Sequence, residues 1–205
     1  MTADEDFECA SVMSTHTQDV KHVKWHPCRE LLASCGYDDT VRLFKEESDD
    51  WESCNTLKGH GSTVWSLDFN QTGSRLATCS ADCTVKIWQE YEPGNAEGVS
   101  TTDNIAAWKC VCTVGGFHER PIYSVSWSSD DVLASAGGDD SICVYREVLD
   151  GGDSKNCPKF ELAARVRGAH AEDVNCIEWN PSQKDFLASA GDDGQIKLWT
   201  LDSSL

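Results

Sequence analysis

The chain has 205 residues, enough for a packed core, and its 35 Asp and Glu against 17 Lys and Arg give a formal net charge of −18. So acidic a surface repels phosphate backbones and anionic membranes, which excludes nucleic acid and lipid as expected partners. No apolar run reaches the roughly 20 residues of a membrane span, and the opening MTADEDFECA is acidic where a secretory leader would be basic and then apolar; a soluble, cytoplasmic protein is expected.

Taken in chain order, the first segment is FECASVM (7–13), which reads as a strand. His16 follows, then VKHVKW, LLASCG, a turn carrying Asp38, TVRLF ending on Phe44, and WESCNTL. The same succession restarts at His60 with VWSLDF, RLATCS, Asp82, TVKIW ending on Trp88, and WKCVCTV. His118 opens IYSVSW, VLASAG, Asp139, SICVY ending on Tyr145, and FELAARV. His170 opens VNCIEW, FLASAG, Asp193 and QIKLW ending on Trp199.

From each His to its closing aromatic the spacing is 28, 28, 27 and 29 residues. A unit of this length, mixing β-branched and aromatic runs with Asp and Gly at the reversals, reads as one four-stranded blade of a β-propeller. The expected fold is therefore all-β, a single propeller segment with repeats at about 16–57, 60–114, 118–166 and 170–199, and with 7–13 as an outer strand of a preceding or closing blade. Extra length falls between third and fourth strands, with six residues after Phe44, nineteen after Trp88 and fourteen after Tyr145. All insertions should emerge on one face.

The succession of His, Ser or Thr, Asp and aromatic resembles the WD-repeat family over essentially the whole chain. That resemblance implies a buried hydrogen-bonded tetrad in each blade: His16, Ser34, Asp38 and Phe44; His60, Thr78, Asp82 and Trp88; His118, Ser135, Asp139 and Tyr145; His170, Ser189, Asp193 and Trp199. Phe44 cannot donate the closing hydrogen bond, so the first blade should be the least rigidly braced. Ser, His and Asp also suggest a nucleophilic triad, but a constellation repeated four times lacks the single activated Ser and oxyanion donor of one.

Eleven cysteines, an odd number with no CxxC, fit a reducing compartment better than a disulfide scaffold. Cys35 and Cys79 stand where the other blades have Ala136 and Ala190, which indicates a small buried side chain. Neither Cys110 with Cys112 nor Cys79 with Cys83 has metal-knuckle spacing, and His22 and His26 lack a partner at ligand spacing. No catalytic, cofactor or metal residues are expected.

SHTQDVKHVKWHP, YDDTVRLF, GHGSTVWSLDF, YEPGNAEGV, WKCVCTVGGFHERPIYSVSW and AHAEDVNCIEWNP look like the WD-repeat subunit of the cytosolic iron-sulfur protein assembly complex. The resemblance implies a non-catalytic scaffold that joins an acidic MIP18-type factor and a HEAT-repeat targeting protein. Its complex delivers [4Fe-4S] clusters to cytosolic and nuclear client apoproteins. The alternative is a WD-repeat adaptor in another pathway, such as ubiquitin-ligase substrate recognition. Members of the resembling family have seven blades, and this chain matches only the C-terminal four. Their Leu-Tyr-Arg tripeptide, a dock for a J-type iron-sulfur co-chaperone, reads Leu43, Phe44 and Lys45 here, which should weaken that contact because Phe lacks the hydroxyl and Lys the guanidinium fork.

Further partner-binding candidates lie around each opening His and turn Asp: Tyr37, Asp39, Trp65, Arg120, Tyr123, Asp140 and Asp192. The first segment is fourth-strand-like and the last, Gln195 to Trp199, is third-strand-like, so the two are complementary. An open half-ring with exposed apolar flanks is expected.

Overall fold

The computed structural model describes residues 8–102, 105–148 and 156–201, and every regular element among them is a β-strand. The first blade comprises β1 (Val20–Trp25), β2 (Leu31–Gly36), β3 (Thr40–Glu47) and β4 (Asp50–Lys58), and the second β5 (Val64–Phe69), β6 (Arg75–Ser80), β7 (Val85–Tyr91) and β8 (Ala107–Val114). The third comprises β9 (Ile122–Trp127), β10 (Leu133–Gly137), β11 (Ile142–Val148) and β12 (Lys159–Val166), while the fourth has three strands, β13 (Val174–Trp179), β14 (Phe186–Gly191) and β15 (Ile196–Thr200). Each is an antiparallel meander.

The blades follow one another in an arc. Inner strands β1, β5, β9 and β13 are neighbours in that order, and residues of all four line one central cavity of about 220 Å³. Bulges recur where each inner strand begins and where the third strands of the first three blades reach their closing aromatics, as at Val64/Ser66 and Ile87/Trp88. A bulge adds local twist, so its repetition gives successive blades the same shape.

Three apolar clusters fill the three junctions between blades. At each junction the rear of one blade supplies two aliphatic side chains from its third strand, Val41 and Leu43, Val85 and Ile87, or Ile142 and Val144, all 6% exposed or less. Ile196 and Leu198 occupy the matching places on the fourth blade and are 80% and 71% exposed. At the other end, Val23 and Trp25 are 55% and 56% exposed, whereas their counterparts Leu67 and Phe69, Val125 and Trp127, and Ile177 and Trp179 are all buried. The arc is open at both flanks.

Two expectations change. Residues 8–13 belong to no strand and the fourth sheet has no outer strand, so the expected strand over 7–13 does not form across the described part of that segment; Phe7 lies outside it. A strand needs a neighbouring edge to satisfy its backbone, and this segment pairs with none; its Ser11 hydroxyl donates to the Asp50 carboxylate at the start of β4 at 2.8 Å, a contact between side chains. The six-residue connection after Phe44 contracts because β3 and β4 extend into it. Only Ser48 and Asp49 remain, with φ of 54° and 71°, the pair of left-handed residues that a tight two-residue hairpin requires.

Candidate docking face

Each blade carries a buried polar chain at the end where its opening loop meets its turn. In the second blade, Trp88 Nε1 donates to Thr78 Oγ1 at 2.9 Å, Thr78 lies 2.8 Å from His60 Nε2, and His60 Nδ1 lies 2.9 Å from Asp82. An ionised carboxylate only accepts, so Nδ1 carries the imidazole proton and Nε2 accepts from the hydroxyl. His170 stands 2.8 Å from Asp193 and 2.7 Å from Ser189, which accepts from Trp199 at 2.8 Å. His118 stands 2.9 Å from Asp139 and 2.8 Å from Ser135, with Tyr145 hydroxyl closing the chain at 3.0 Å.

In the first blade His16 reaches Asp38 at 2.9 Å and Ser34 at 2.6 Å, but the buried Phe44 ring offers no donor. Each Asp also accepts the amide following its His, at Thr17, Gly61, Glu119 and Ala171. Burial alone would raise the Asp38 carboxyl, but hydrogen bonds from Thr40, His16 and Thr17 outweigh it and hold it at about 2. Asp193 is held at about 2, chiefly by His170. Burial depresses His118 despite its bond to Asp139. The four hydroxyls are 3% exposed or less, so no substrate reaches them. Their chemistry is bracing.

The residue after each Asp is left-handed in every blade: Asp39 (φ 60°), Cys83 (63°), Asp140 (56°) and Gly194 (74°). Asp tolerates that conformation better than most side chains, which gives Asp39 and Asp140 a turn role independent of any partner.

Five of the other candidates gather at the same end. Tyr37, Trp65 and Tyr123, one from each of the first three blades, form a ladder of edge-on rings with centroids 5.5 and 5.3 Å apart. Lys21 Nζ sits 4.0 Å above the Tyr37 ring, a cation–π contact. Arg120 reaches across to Asp173 at 3.4 Å, and Asp192 accepts from Asn175. Burial, then the Asp173 charge, raises the Tyr123 hydroxyl. Lys24 and Asp68 pair at 2.9 Å in the central cavity beneath.

Leu43 and Phe44 are 0% and 3% exposed, packed inside the blade where no partner can touch them. Lys45 alone of that tripeptide reaches the surface, at the far end of the blade, paired to Glu47 at 3.1 Å. It borders a cavity of about 240 Å³ that shares Arg29, Glu90 and Glu92 with a larger one of about 560 Å³ under the long second-blade loop. The Arg29 pairs with Glu90 and Glu92 cross from one blade to the next.

The family model for WD domain, G-beta repeat matches residues 7–45, 51–89, 108–146 and 163–200. The chain belongs to the WD-repeat family. Three of the four matched WD repeats, those starting at residues 51, 108 and 163, begin on the outer strand of one blade and end on the third strand of the next, so the repeat straddles a junction. Among curated relatives, the chain is 50% identical over 198 residues to an Aedes aegypti protein named probable cytosolic iron-sulfur protein assembly protein Ciao1, covering 96% of this chain and 45% of that protein. It is 57% identical over 162 residues to a Nematostella vectensis homologue of the same name, covering 78% and 49%. To the human protein so named it is 52% identical over 111 residues, covering 54% and 32%. The chain thus spans about half or less of these relatives' length.

Proposed function

We propose that this chain is a non-catalytic scaffold for cytosolic iron-sulfur protein assembly, acting in the complex that targets [4Fe-4S] clusters to cytosolic and nuclear apoproteins. One observation carries the reading: identity at the 50% level extends over 96% of the chain, loops included, to a relative bearing that name. Loops vary freely unless something binds them. The same names support a cytoplasmic location, and nuclear clients would extend it to the nucleus. The cluster is cargo here.

Its partners on this reading are a MIP18-type factor, a HEAT-repeat targeting protein and the client apoproteins. The aromatic ladder of Tyr37, Trp65 and Tyr123, with Arg120 and Asp192 beside it, is the surface proposed to dock one of them. Rigid aromatic and Arg side chains on a braced frame supply contact area at low entropic cost. Lys45 remains the one residue of its tripeptide available to a J-type co-chaperone. The alternative of an adaptor in ubiquitin-ligase recognition has no feature of this structure in its favour.

The test is direct binding of the purified chain to recombinant MIP18-type factor and HEAT-repeat protein. Binding to one of them, weakened on the order of 10-fold or more by Trp65→Ala, is the expected result. No binding to either, together with normal cytosolic cluster-enzyme activity after depletion of the chain in cells, sinks the reading.

A further inference from the structure

The joint between the first and second blades is built from different acceptors than the joint between the third and fourth. The third residue of the inner strand is His22 in β1, where β5, β9 and β13 have Ser66, Ser124 and Cys176. Across the third–fourth joint, Ser124 Oγ accepts the amide of Ile177 and Ser126 Oγ that of Trp179, both at 3.0 Å. Across the first–second joint the corresponding acceptor is an imidazole. His22 Nδ1 lies 3.2 Å from the Leu67 amide and 3.1 Å from the Ser66 hydroxyl. An amide N–H only donates, so Nδ1 is bare and the ring proton sits on Nε2.

The residue after each inner strand repeats the substitution. Asn70, Ser128 and Asn180 accept amides of their own loops, from Arg75 at 2.9 Å, Val132 at 3.0 Å and Ser182 at 2.8 Å, a common turn device. In the first blade that acceptor is His26 Nδ1, 3.1 Å from the Cys28 amide. Its Nε2 therefore carries the proton and donates to the Gly73 carbonyl in the second blade at 3.2 Å. The ring sits so close to that backbone that a Cβ at Gly73 would lie 2.0 Å from Nε2. Cys28 opens the loop whose Arg29 pairs with Glu90 and Glu92 of the second blade. Both histidines thus serve the same joint.

We propose that this joint is pH-sensitive: His22 and His26 hold it only while neutral, and a proton on Nδ1 of either ring turns the acceptor into a donor facing an amide N–H. Leu67 is fully buried and Ser66 is 6% exposed, so water does not stand in for the acceptor lost at His22. Ser124 and Ser126 have no proton to gain, and the joint they hold stays closed under the same conditions. The aromatic ladder spans the sensitive joint, with Tyr37 on one side and Trp65 on the other, so a proton there is felt on the docking face whatever binds to it.

The groups around the rings set the direction. His22 is faced by Lys24 on its own strand, by Asp68 on β5 and by the Cys35 thiol on β2, and Lys24 and Asp68 pair at 2.9 Å. Lys21, Tyr123, Cys176 and Glu178 line the same central cavity. Burial, then Lys24, lowers the proton affinity of His22 against the pull of Asp68. His26 has the Cys28 thiol and Arg29 in its own loop, and Glu90, Glu92 and Glu97 share its cavity. Residues 71–74, packed on the ring, bring no charge. Burial, then Arg29, lowers His26 as well. Both contacts are therefore complete above the ordinary histidine value of 6.5 and are lost as pH falls through the lower folded values.

NMR of the purified chain between pH 8 and pH 5, reading imidazole nitrogens and amide exchange, tests this. At pH 8, His22 and His26 should be Nε2–H tautomers, and the other four of the six histidines, those of the tetrads, Nδ1–H. As His22 takes up its proton, protection of the Leu67 amide, corrected for the intrinsic exchange rate, should fall by about 10-fold or more while that of Ile177 holds. His22→Ser, the residue that β5 and β9 carry there, should make Leu67 protection independent of pH over this range. His26→Asn, the residue found in the second and fourth blades, should do the same for the Cys28 amide. An Nδ1–H tautomer at either ring overturns the proposal, as does an imidazole still neutral at pH 5. So does Leu67 protection that is unmoved while His22 titrates, a parallel loss at Ile177, or a fall that persists in His22→Ser. All but the last are read on the parent chain and decide the matter even if a variant fails to fold.

Discussion

The second blade and the first share a design but not an environment. Leu67 and Val23 hold the same place on their inner strands, yet one is fully buried between blades and the other is 55% exposed. Trp88 closes a complete tetrad, while Phe44 leaves Ser34 without its outer donor. A repeat therefore specifies a blade's shape, whereas its neighbours and a single ring nitrogen decide how firmly that shape is held.

The largest expected difference comes from cutting the shared packing position. Leu67→Ala should cost about 2 to 5 kcal/mol, because it opens a cavity in a sealed junction. Val23→Ala should stay within about 0.5 kcal/mol in the single chain, where that side chain already meets water. Urea unfolding of each variant beside the parent chain reads both. Equal effects would show that the first flank is as covered as the junctions.

Exchanging the closing aromatics sharpens the contrast. Trp88→Phe removes the donor to Thr78 and should cost about 0.5 to 1.5 kcal/mol. Phe44→Trp offers Ser34 Oγ the missing donor, and Trp88 shows that the same position of the second blade holds the larger ring; a gain of up to about 1 kcal/mol is expected. If Phe44→Trp destabilises, the first blade is tighter than its exposed inner strand indicates.

Much of this contrast is legible in the sequence, and for a physical reason. A four-fold repeat places equivalent residues in register, so the blades, the His–Asp pairs and the small residues at Cys35, Cys79, Ala136 and Ala190 can be aligned by position alone. What the sequence hides depends on contacts between blades. Lys21 over Tyr37 and Arg29 against Glu90 and Glu92 join residues whose proximity follows from blade packing, and no local pattern reports it. Segment 7–13 has the composition of a strand, but composition does not supply the edge it must pair with. Leu43 and Phe44 are partner-binding candidates only through a tripeptide resemblance; Leu43 is covered by the second blade, a contact no local pattern reports, and Phe44 is buried at the closing-aromatic position.

Acid should weaken the blades in two stages. Folded His118 has a lower proton affinity than the free side chain, so its contribution is complete above the unfolded value near 6.5 and is lost as pH falls through the lower folded value. His22 and His26, lowered first by burial, act in the same direction. Asp38 and Asp193, at about 2 when folded, contribute fully above the ordinary carboxylate value near 3.8 and lose that stability as pH falls through about 2. Urea midpoints from pH 8 to pH 2 should show a shallow decline near neutrality and a steeper one in acid. His118→Gln should flatten the first without touching the second.

The smallest expected effect concerns the turn after each tetrad Asp, where the second blade alone places a Cys. Cys83 holds φ at 63°, a conformation that costs an ordinary side chain roughly 1 kcal/mol and glycine almost nothing. Glycine in turn loses more chain entropy on folding, which returns most of that gain. Cys83→Gly should therefore raise stability by no more than about 0.5 kcal/mol, and the fourth blade, with Gly194 at this position, shows that the turn accepts it. Cys83→Val should instead destabilise, since a β-branched side chain is least suited to positive φ. A thermal melt of both variants separates the two directions; destabilisation by glycine would mean that the Cys83 side chain contributes packing beyond its turn.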